Sequence, residues 1–391
     1  MRRHLILSVG LASLLVGALV AWYLVRQERE FQRLIATGDS ALAQNETFGA
    51  IEAFSGALAL KDDSMLAHLR RGDAYRRRGE LDEALRDLEQ AVALDPSAPA
   101  PVELSGDVNA AMGRYDQAAE NFRAFTQLDD RSPRVLYKLG LAYYRNRQID
   151  QAIGALQEAL ALDVRFAEAH YLLGVCLRDR SDVEEARKSL TRALELSPTF
   201  AAVREELVEL YDDEGRRREA VEQLEALAAL EPDRPERLVS VGRAYASWGR
   251  TDAAILTLAR AADRFPDEPA VRIALGQLWL DVAGREDDPV ALKKALAALQ
   301  PITVSPSTPT EALVVYGEAL LRSGETGRAE QALVEAATRR PVDPLVFRHL
   351  GDAAERLGHR AVARDAILRY AALVGEDRLD RQTTDQLSRL R

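Results

Sequence analysis
Cysteine, aromatic side chains and positive charge are all scarce in this chain, and each shortage closes off a class of function. One residue of 391 is a cysteine, Cys176, so an internal disulfide, a CxxC redox pair and a cysteine zinc site are excluded. Its apolar neighbours from Leu172 to Leu177 mark it as a small core residue. Acidic residues outnumber basic ones, 62 against 52, for a formal charge of −10. That is the wrong sign for a general nucleic-acid binder, which must displace counterions from phosphates. Aromatic residues make up only 6%, and the Ala, Leu, Arg and Glu that dominate instead favour helix, so an all-α chain is expected. Catalytic signatures are missing as well: there is no GxxxxGK followed by Ser or Thr, no GxGxxG after a strand pattern, no GxSxG and no HExxH. The five histidines are scattered, and His68 and His170 fall at the same place in different repeats, a pattern of packing or solvated side chains and not of a metal site. No catalytic residue, no metal ligand and no cofactor is expected, and an enzyme is the least favoured reading.

What the chain does have begins with an apolar run. Residues 5–25 carry no charge, and at a helical rise of 1.5 Å they span roughly 30 Å, enough to cross a bilayer. The rival is a cleaved signal peptide, but the run stays apolar through Trp22, Tyr23, Leu24 and Val25, beyond the one weak cleavage site near Ala21. A short tail (1–4), a transmembrane anchor (5–25) and a juxtamembrane connector (26–30) are therefore expected. Arg2 and Arg3 precede the run, while Arg26, Arg29 and Arg33 come after it, which leaves the charge comparison close. The early arginine pair favours a cytoplasmic tail, and the composition looks bacterial. The expectation is a single-pass inner-membrane protein with its large domain in the periplasm, the cytoplasmic face being the alternative. Ser13, Gly17 and Ala21 recur every fourth residue, a stripe through which two such helices could self-associate as a homo-oligomer. No Gly or Pro lies between Ala18 and Thr37, so the apolar helix is expected to run straight into the first unit of the large domain.

That large domain is periodic. Gly38, Gly72, Gly106, Gly140, Gly174, Gly242 and Gly276 fall on one grid of 34 residues, with Val208 at the missing place, and Gly317 and Gly351 set a second frame. Twelve residues after each grid position except Gly276 stands an alanine: Ala50, Ala84, Ala118, Ala152, Ala186, Ala220, Ala254, Ala329 and Ala363. Small residues at both places let two helices pack with their backbones close. Four residues beyond the alanine comes a large apolar side chain, such as Phe54, Leu88, Phe122, Leu156, Leu190, Leu224 or Leu258, the buried stripe of a second helix. Tyr75, Tyr143, Tyr211 and Tyr245 fill space beside the glycine. Gly79, Gly113, Gly215, Gly249, Gly324 and Gly358 mark the turn inside each unit, and Pro96, Pro198, Pro232, Pro266 and Pro341 its exit. Each unit is thus a helix, a turn and a helix.

Leu139-Gly140 with Tyr143, Ala152 and Leu156, and Leu173-Gly174 with Ala186, Leu190, Ala193 and Pro198, resemble the tetratricopeptide repeat (TPR) signature. The resemblance covers about residues 31–374, and departs from the pattern where His68, Leu136, His170 and Leu238 replace the first aromatic residue. It implies a right-handed superhelical solenoid of about ten helix-turn-helix units: repeats 1–8 over 31–300, a proline-containing linker over 301–309, repeats 9–10 over 310–375, and a capping tail over 376–391. Between Gly276 and Gly317 the spacing is 41 instead of 34. Two features are expected to share this slip, the turn from Gly284 to Pro289, with Asp288 as helix cap, and the stretch from Pro301 to Thr310. A tolerated insertion and a joint between two blocks of repeats both stay open. In the tail, Leu379, Leu387 and Leu390 recur at helical intervals and could cover the last hairpin.

The resemblance also implies that the first helix of each unit lines a concave groove that holds protein partners, whether a peptide segment or a folded domain. Carried onto this sequence, the groove positions are Arg134, Tyr137, Lys138, Leu141, Tyr144, Glu168, Tyr171, Val175 and Arg178, followed by an acidic stretch with Glu205, Glu206, Glu209, Asp212 and Asp213. Tyr and Arg are common interface anchors. The Lys and Asn pattern of members that bind acidic carboxy-terminal tails is missing from these positions. The arginine triplets Arg76–Arg78 and Arg216–Arg218 read as solvated turns, although the first could lie near anionic headgroups. The expected function is a membrane-anchored scaffold or assembly factor in envelope biogenesis or export, with a structural subunit of a larger membrane complex as the alternative.

Overall fold
The computed structural model describes residues 2–286, 288–303, 308–339, 343–375 and 378–390, and for residues 2–13, 286 and 390 the backbone alone. Among the described residues there are twenty-one α-helices and no strand. They fall into two units, Met1–Pro198 and Thr199–Arg391. The first holds five hairpins: α1 (Arg2–Ala43) with α2 (Thr47–Leu60), α3 (Met65–Arg78) with α4 (Leu81–Leu94), α5 (Pro99–Ala111) with α6 (Tyr115–Leu128), α7 (Pro133–Arg145) with α8 (Ile149–Leu162), and α9 (Ala167–Asp179) with α10 (Val183–Leu196). The second holds five more and a final helix: α11 (Ala201–Asp213) with α12 (Arg217–Leu230), α13 (Pro235–Ser247) with α14 (Thr251–Arg264), α15 (Pro269–Glu286) with α16 (Pro289–Leu299), α17 (Thr310–Arg322) with α18 (Thr326–Ala337), α19 (Pro344–Arg356) with α20 (Arg360–Val374), and then α21 (Arg381–Leu390). The expected membrane helix and the first helix of the first repeat are one unbroken helix, α1, since no proline interrupts it.

The close approach inside each hairpin is visible at the grid glycines. A Cβ placed on Gly140 would lie 2.7 Å from Leu156 Cγ, and one on Gly174 would lie 2.6 Å from Leu190 Cγ. The branched side chain sixteen residues on therefore lies directly over bare backbone, and Phe54, Leu88, Leu156, Leu190, Leu333 and Ile367 are fully buried as a result. Each such side chain contributes about 1.5–3 kcal/mol by leaving water. Where Val208 replaces the glycine, its side chain occupies that place, and Leu224 is left half-buried. Leu227, three residues further on, is the fully buried side chain of α12 instead.

The slip in spacing has a single location. A Cβ on Gly276 would meet Leu299 at 2.6 Å, twenty-three residues on instead of sixteen, so all seven extra residues lie inside this hairpin. They lengthen α15 to 18 residues and carry Gly284 into the helix. The turn begins only beyond Glu286, and Asp288 then caps α16 by accepting from Val290 N at 2.8 Å. From Leu299 to Gly317 the spacing is the regular 18, as from Leu88 to Gly106. The stretch from Pro301 to Thr310 thus takes up none of the slip; residues 304–307 of it lie outside the described residues, as does Pro341.

At three of the positions that lack the family's first aromatic residue the side chains have a shared task. His68 Nε2 lies 3.0 Å from Asp62 O, His170 Nε2 lies 3.0 Å from Val164 O, and Arg272 Nε donates to Pro266 O at 2.8 Å. Each side chain reaches back six residues and satisfies a carbonyl of the incoming loop. At the other end of the chain, Leu387 of α21 packs with Ile367 and Ala371, with Leu379 beside them, and Gln386 Nε2 donates to Glu355 at 2.7 Å. The Leu390 side chain lies outside the described residues.

The inner turns need one residue in the left-handed region. All six turn glycines adopt it, with φ between 71° and 85°. In three hairpins the same place falls to Asn45, Arg147 and Ser181, with φ of 63°, 60° and 71°. A Cβ there costs about 1 kcal/mol or more, which glycine avoids at the expense of unfolded-state entropy. Arg147→Gly and Ser181→Gly are each expected to raise unfolding free energy by about 0.5–1 kcal/mol. Denaturant titration checks this, and a loss of stability in both would show that the turn is not under strain.

Candidate protein-binding site
The first helices of successive hairpins lie side by side, so residues 31 to 35 apart in sequence become neighbours, and three of the expected groove charges, Arg134, Lys138 and Glu205, find partners there. Arg134 Nη2 donates to Glu103 Oε1 at 2.8 Å, and Lys138 Nζ donates to the same oxygen at 2.7 Å and to Asp107 Oδ2 at 2.8 Å. These pairs tie α7 to α5. Tyr144 on α7 donates its hydroxyl hydrogen to Asp179 Oδ2 of α9 at 3.2 Å. Burial pushes the Glu103 carboxyl up, but the hydrogen bonds from Lys138 and Arg134 together outweigh it and hold it below the usual range.

The aromatic positions remain half-buried. The Tyr137 ring packs on Phe166 at 5.2 Å between centroids, and burial, with Glu168 nearby, raises its phenol above the ordinary value. Burial and then Asp179 do the same for Tyr144. Tyr171 and Arg178 on α9 are half-buried as well, and Glu168 is exposed. Val175 differs. At 5% exposure it belongs to the packing beneath the surface and not to the surface itself, because α9 is buried on nearly every side from Leu172 to Leu177. Cys176 in that run is fully buried, and burial lifts its thiol to about 12, so it carries no reactive thiolate.

Lys138 and Leu141 also border a recess of about 320 Å³ on the same side. Its other walls are Asp107 and Ala110 of α5, Tyr115 and Phe122 of α6, and Arg145 of α7. Sequence reasoning missed Glu103 and Asp107, which pair with Arg134 and Lys138 across helices, Asp179, which accepts from Tyr144 across helices, and Arg145, which lines the recess. The available signal was a basic residue on one first helix and acidic residues 31 and 35 positions earlier. In the second unit, Glu205 accepts from Arg237 Nη2 at 2.5 Å and is thereby neutralised, while Glu209, Asp212 and Asp213 are exposed. The expected acidic floor is therefore weaker than its sequence suggests. The arginine triplets are engaged locally, Arg76 and Arg77 with Asp73 and Arg216 with Glu219.

The sequence model of the tetratricopeptide repeat matches residues 35–99, 104–163, 137–199 and 316–378, and a second model with the same description matches 177–241. Together they account for more than half of the chain. No curated protein matches it. Among solved structures, the chain is similar to MamA, with 27% identity over 41% of this chain and 95% of that one and a TM-score of 0.40. It is also similar to YrrB, a TPR protein with an unusual peptide-binding site, with 24% identity over 48% of this chain and 97% of that one and a TM-score of 0.42. A tetratricopeptide repeat protein from Parabacteroides merdae gives 16% identity over 64% of this chain and 98% of that one, with a TM-score of 0.47.

A carboxylate held below its unfolded value contributes stability that is fully present above that value and is lost as pH falls through the folded one. Glu103→Gln is therefore expected to melt lower than the wild type at neutral pH, with the gap closing as pH falls below the ordinary glutamate value of 4.5. Melting curves across that window decide it, and a gap independent of pH would mean that the Glu103 pairs contribute nothing.

Proposed function
The chain belongs to the tetratricopeptide-repeat family, and on that premise we propose that it is a membrane-anchored scaffold that holds protein partners against the first helices of its hairpins. The observation that carries the reading is the construction of α1. From Leu14 to Val25 its large apolar side chains are 50–73% exposed, whereas Phe31 and Ile35 of the same helix are 5% and 6% exposed and belong to the core of the first hairpin. Arg26 stacks over Trp22 at 5.4 Å, the pairing of cation and aromatic ring that suits the edge of a bilayer. Among the described residues no helix is long and apolar enough to cross a membrane. The side chains of residues 5–13, the first part of the proposed anchor, lie outside the described residues. In this reading the helix continues as an anchor through residues 5–25 of a bacterial inner membrane, with the repeats in the periplasm, where they serve envelope biogenesis or export.

The partner surface is the one around Tyr137, Tyr144 and Tyr171. With Lys138 and Arg134 neutralised by Glu103 and Asp107, this surface offers half-buried aromatic faces beside the recess at Leu141, and recognition rests on apolar and aromatic contact more than on charge. Tetratricopeptide-repeat proteins are as a rule scaffolds and not enzymes, and this chain is read in the same way.

The test combines Tyr137→Ala, Tyr144→Ala and Tyr171→Ala with a reporter fused after Arg391. Because the three rings are only half-buried, helicity by circular dichroism should persist with a cost of about 1 kcal/mol per site, and cross-linked partners recovered from membranes should be lost. Unfolding, or retention of every partner, would remove this surface as the binding site. Activity of a reporter that works only in the cytoplasm would reverse the orientation.

A further inference from the structure
The third hairpin breaks the repeat pattern at two adjoining places. Asn109 stands where Tyr75, Tyr143, Tyr211 and Tyr245 stand in other repeats, and Ser105 stands where Leu139, Leu173, Leu207 and Val241 stand. Two large side chains are thus replaced by short polar ones, and the space they would fill is a recess of about 440 Å³ between the second helices α4 and α6, floored by α5. Ser105 and Asn109 are 3% and 4% exposed, and among the described residues neither Ser105 Oγ nor Asn109 Oδ1 has a hydrogen-bond partner. Asn109 Nδ2 donates to Asn121 Oδ1 at 2.9 Å. Two unpaired buried oxygens in one hairpin are a cost that an apolar floor would not carry.

The preceding hairpin shows what this place accommodates. Arg71 is at the position of Ser105, Asp87 at that of Asn121 and Ser55 at that of Glu89, each 34 residues earlier. The Arg71 guanidinium donates to Asp87 Oδ2 at 2.6 Å, to Asp87 Oδ1 at 2.8 Å and to Ser55 Oγ at 3.2 Å. The third hairpin has the Asn121 amide in place of the Asp87 carboxylate and the Glu89 carboxylate in place of the Ser55 hydroxyl, and it lacks the cation. We propose that the recess floored by Ser105 and Asn109 binds a basic side chain, arginine or lysine, presented by a partner protein segment. The charges around it agree. Glu89 and Glu120 line the recess, both exposed and in no ion pair among the described residues, while Arg114, the basic residue of the lining, faces Asp82 at 3.7 Å. The Asn109 and Asn121 amides can pair in either sense, and the two carboxylates select the arrangement that turns an acceptor toward the ligand. This site opens between two second helices, with its floor on α5, and does not depend on the first-helix surface around Tyr137.

The test uses the full chain in detergent, with acetyl-Gly-Arg-Gly-amide as probe and acetyl-Gly-Glu-Gly-amide as control, read by the shift in melting temperature with peptide concentration. The arginine peptide should raise the melting temperature of the wild type, and the glutamate peptide should not. Ser105→Arg, built on Arg71, should melt higher without peptide and respond to neither. Glu89→Gln, at an exposed position, should melt as the wild type does but bind the arginine peptide about tenfold more weakly, the loss expected for one charge-assisted hydrogen bond. Equal responses to the two peptides, no response to either, or an undiminished response in both variants would overturn the proposal, the last two results leaving the recess to buried water.

Discussion
Each hairpin of this protein depends on one contact, a bare glycine backbone against a branched side chain sixteen residues later. The distances leave no room for a Cβ at Gly106, Gly140, Gly174, Gly242 or Gly317. Because the contact closes within a hairpin, it fixes the two helices relative to each other before any neighbour is added, which suits an array whose units touch mainly the next in line. Its exceptions obey the same physics. Val208 fills the glycine's place and displaces Leu224, and the long α15 postpones the partner of Gly276 to Leu299 without changing the contact itself.

Between hairpins the economy is different. The first helices are joined by ion pairs and tyrosine hydrogen bonds, and the residues that most resemble binding anchors in sequence are partly spent on that joining. Lys138 bridges two acidic side chains of α5, and Glu205 meets Arg237. Surface pairs of this kind contribute little stability individually, but they remove charge from the face a partner would meet. Aromatic surface and unfilled recesses remain, and these are the features on which both functional readings rest.

The fold was legible because its signals repeat. A small residue at a fixed interval, a large one four positions after the alanine and a glycine at the turn recur often enough that single departures do not obscure them. The location of the seven-residue slip was not legible, since Gly284 and the prolines beyond 300 both look like breaks. Only the partner of Gly276 separates them. The site was legible in part: helix faces follow from periodicity, so Tyr137, Lys138 and Leu141 could be placed. The Glu103 and Asp179 contacts depend on neighbouring hairpins, and the burial of Val175 depends on the surroundings of α9. The recess at Ser105 and Asn109 was not read from the sequence, because Gly106 keeps the grid and two short polar residues beside it draw notice only once the space they leave is seen.

If the glycine contact is the element on which each hairpin depends, forcing it open should have a local signature. Hydrogen exchange by mass spectrometry on full-length Gly140→Leu is the most direct measurement, because an extra isobutyl group cannot coexist with Leu156 in place. Lost protection should centre on α7 and α8, extend to the hairpins that touch them, and fade to wild-type values at α1 and α2. Unchanged protection in α7 and α8, or a loss spread evenly along the first unit, would contradict the account.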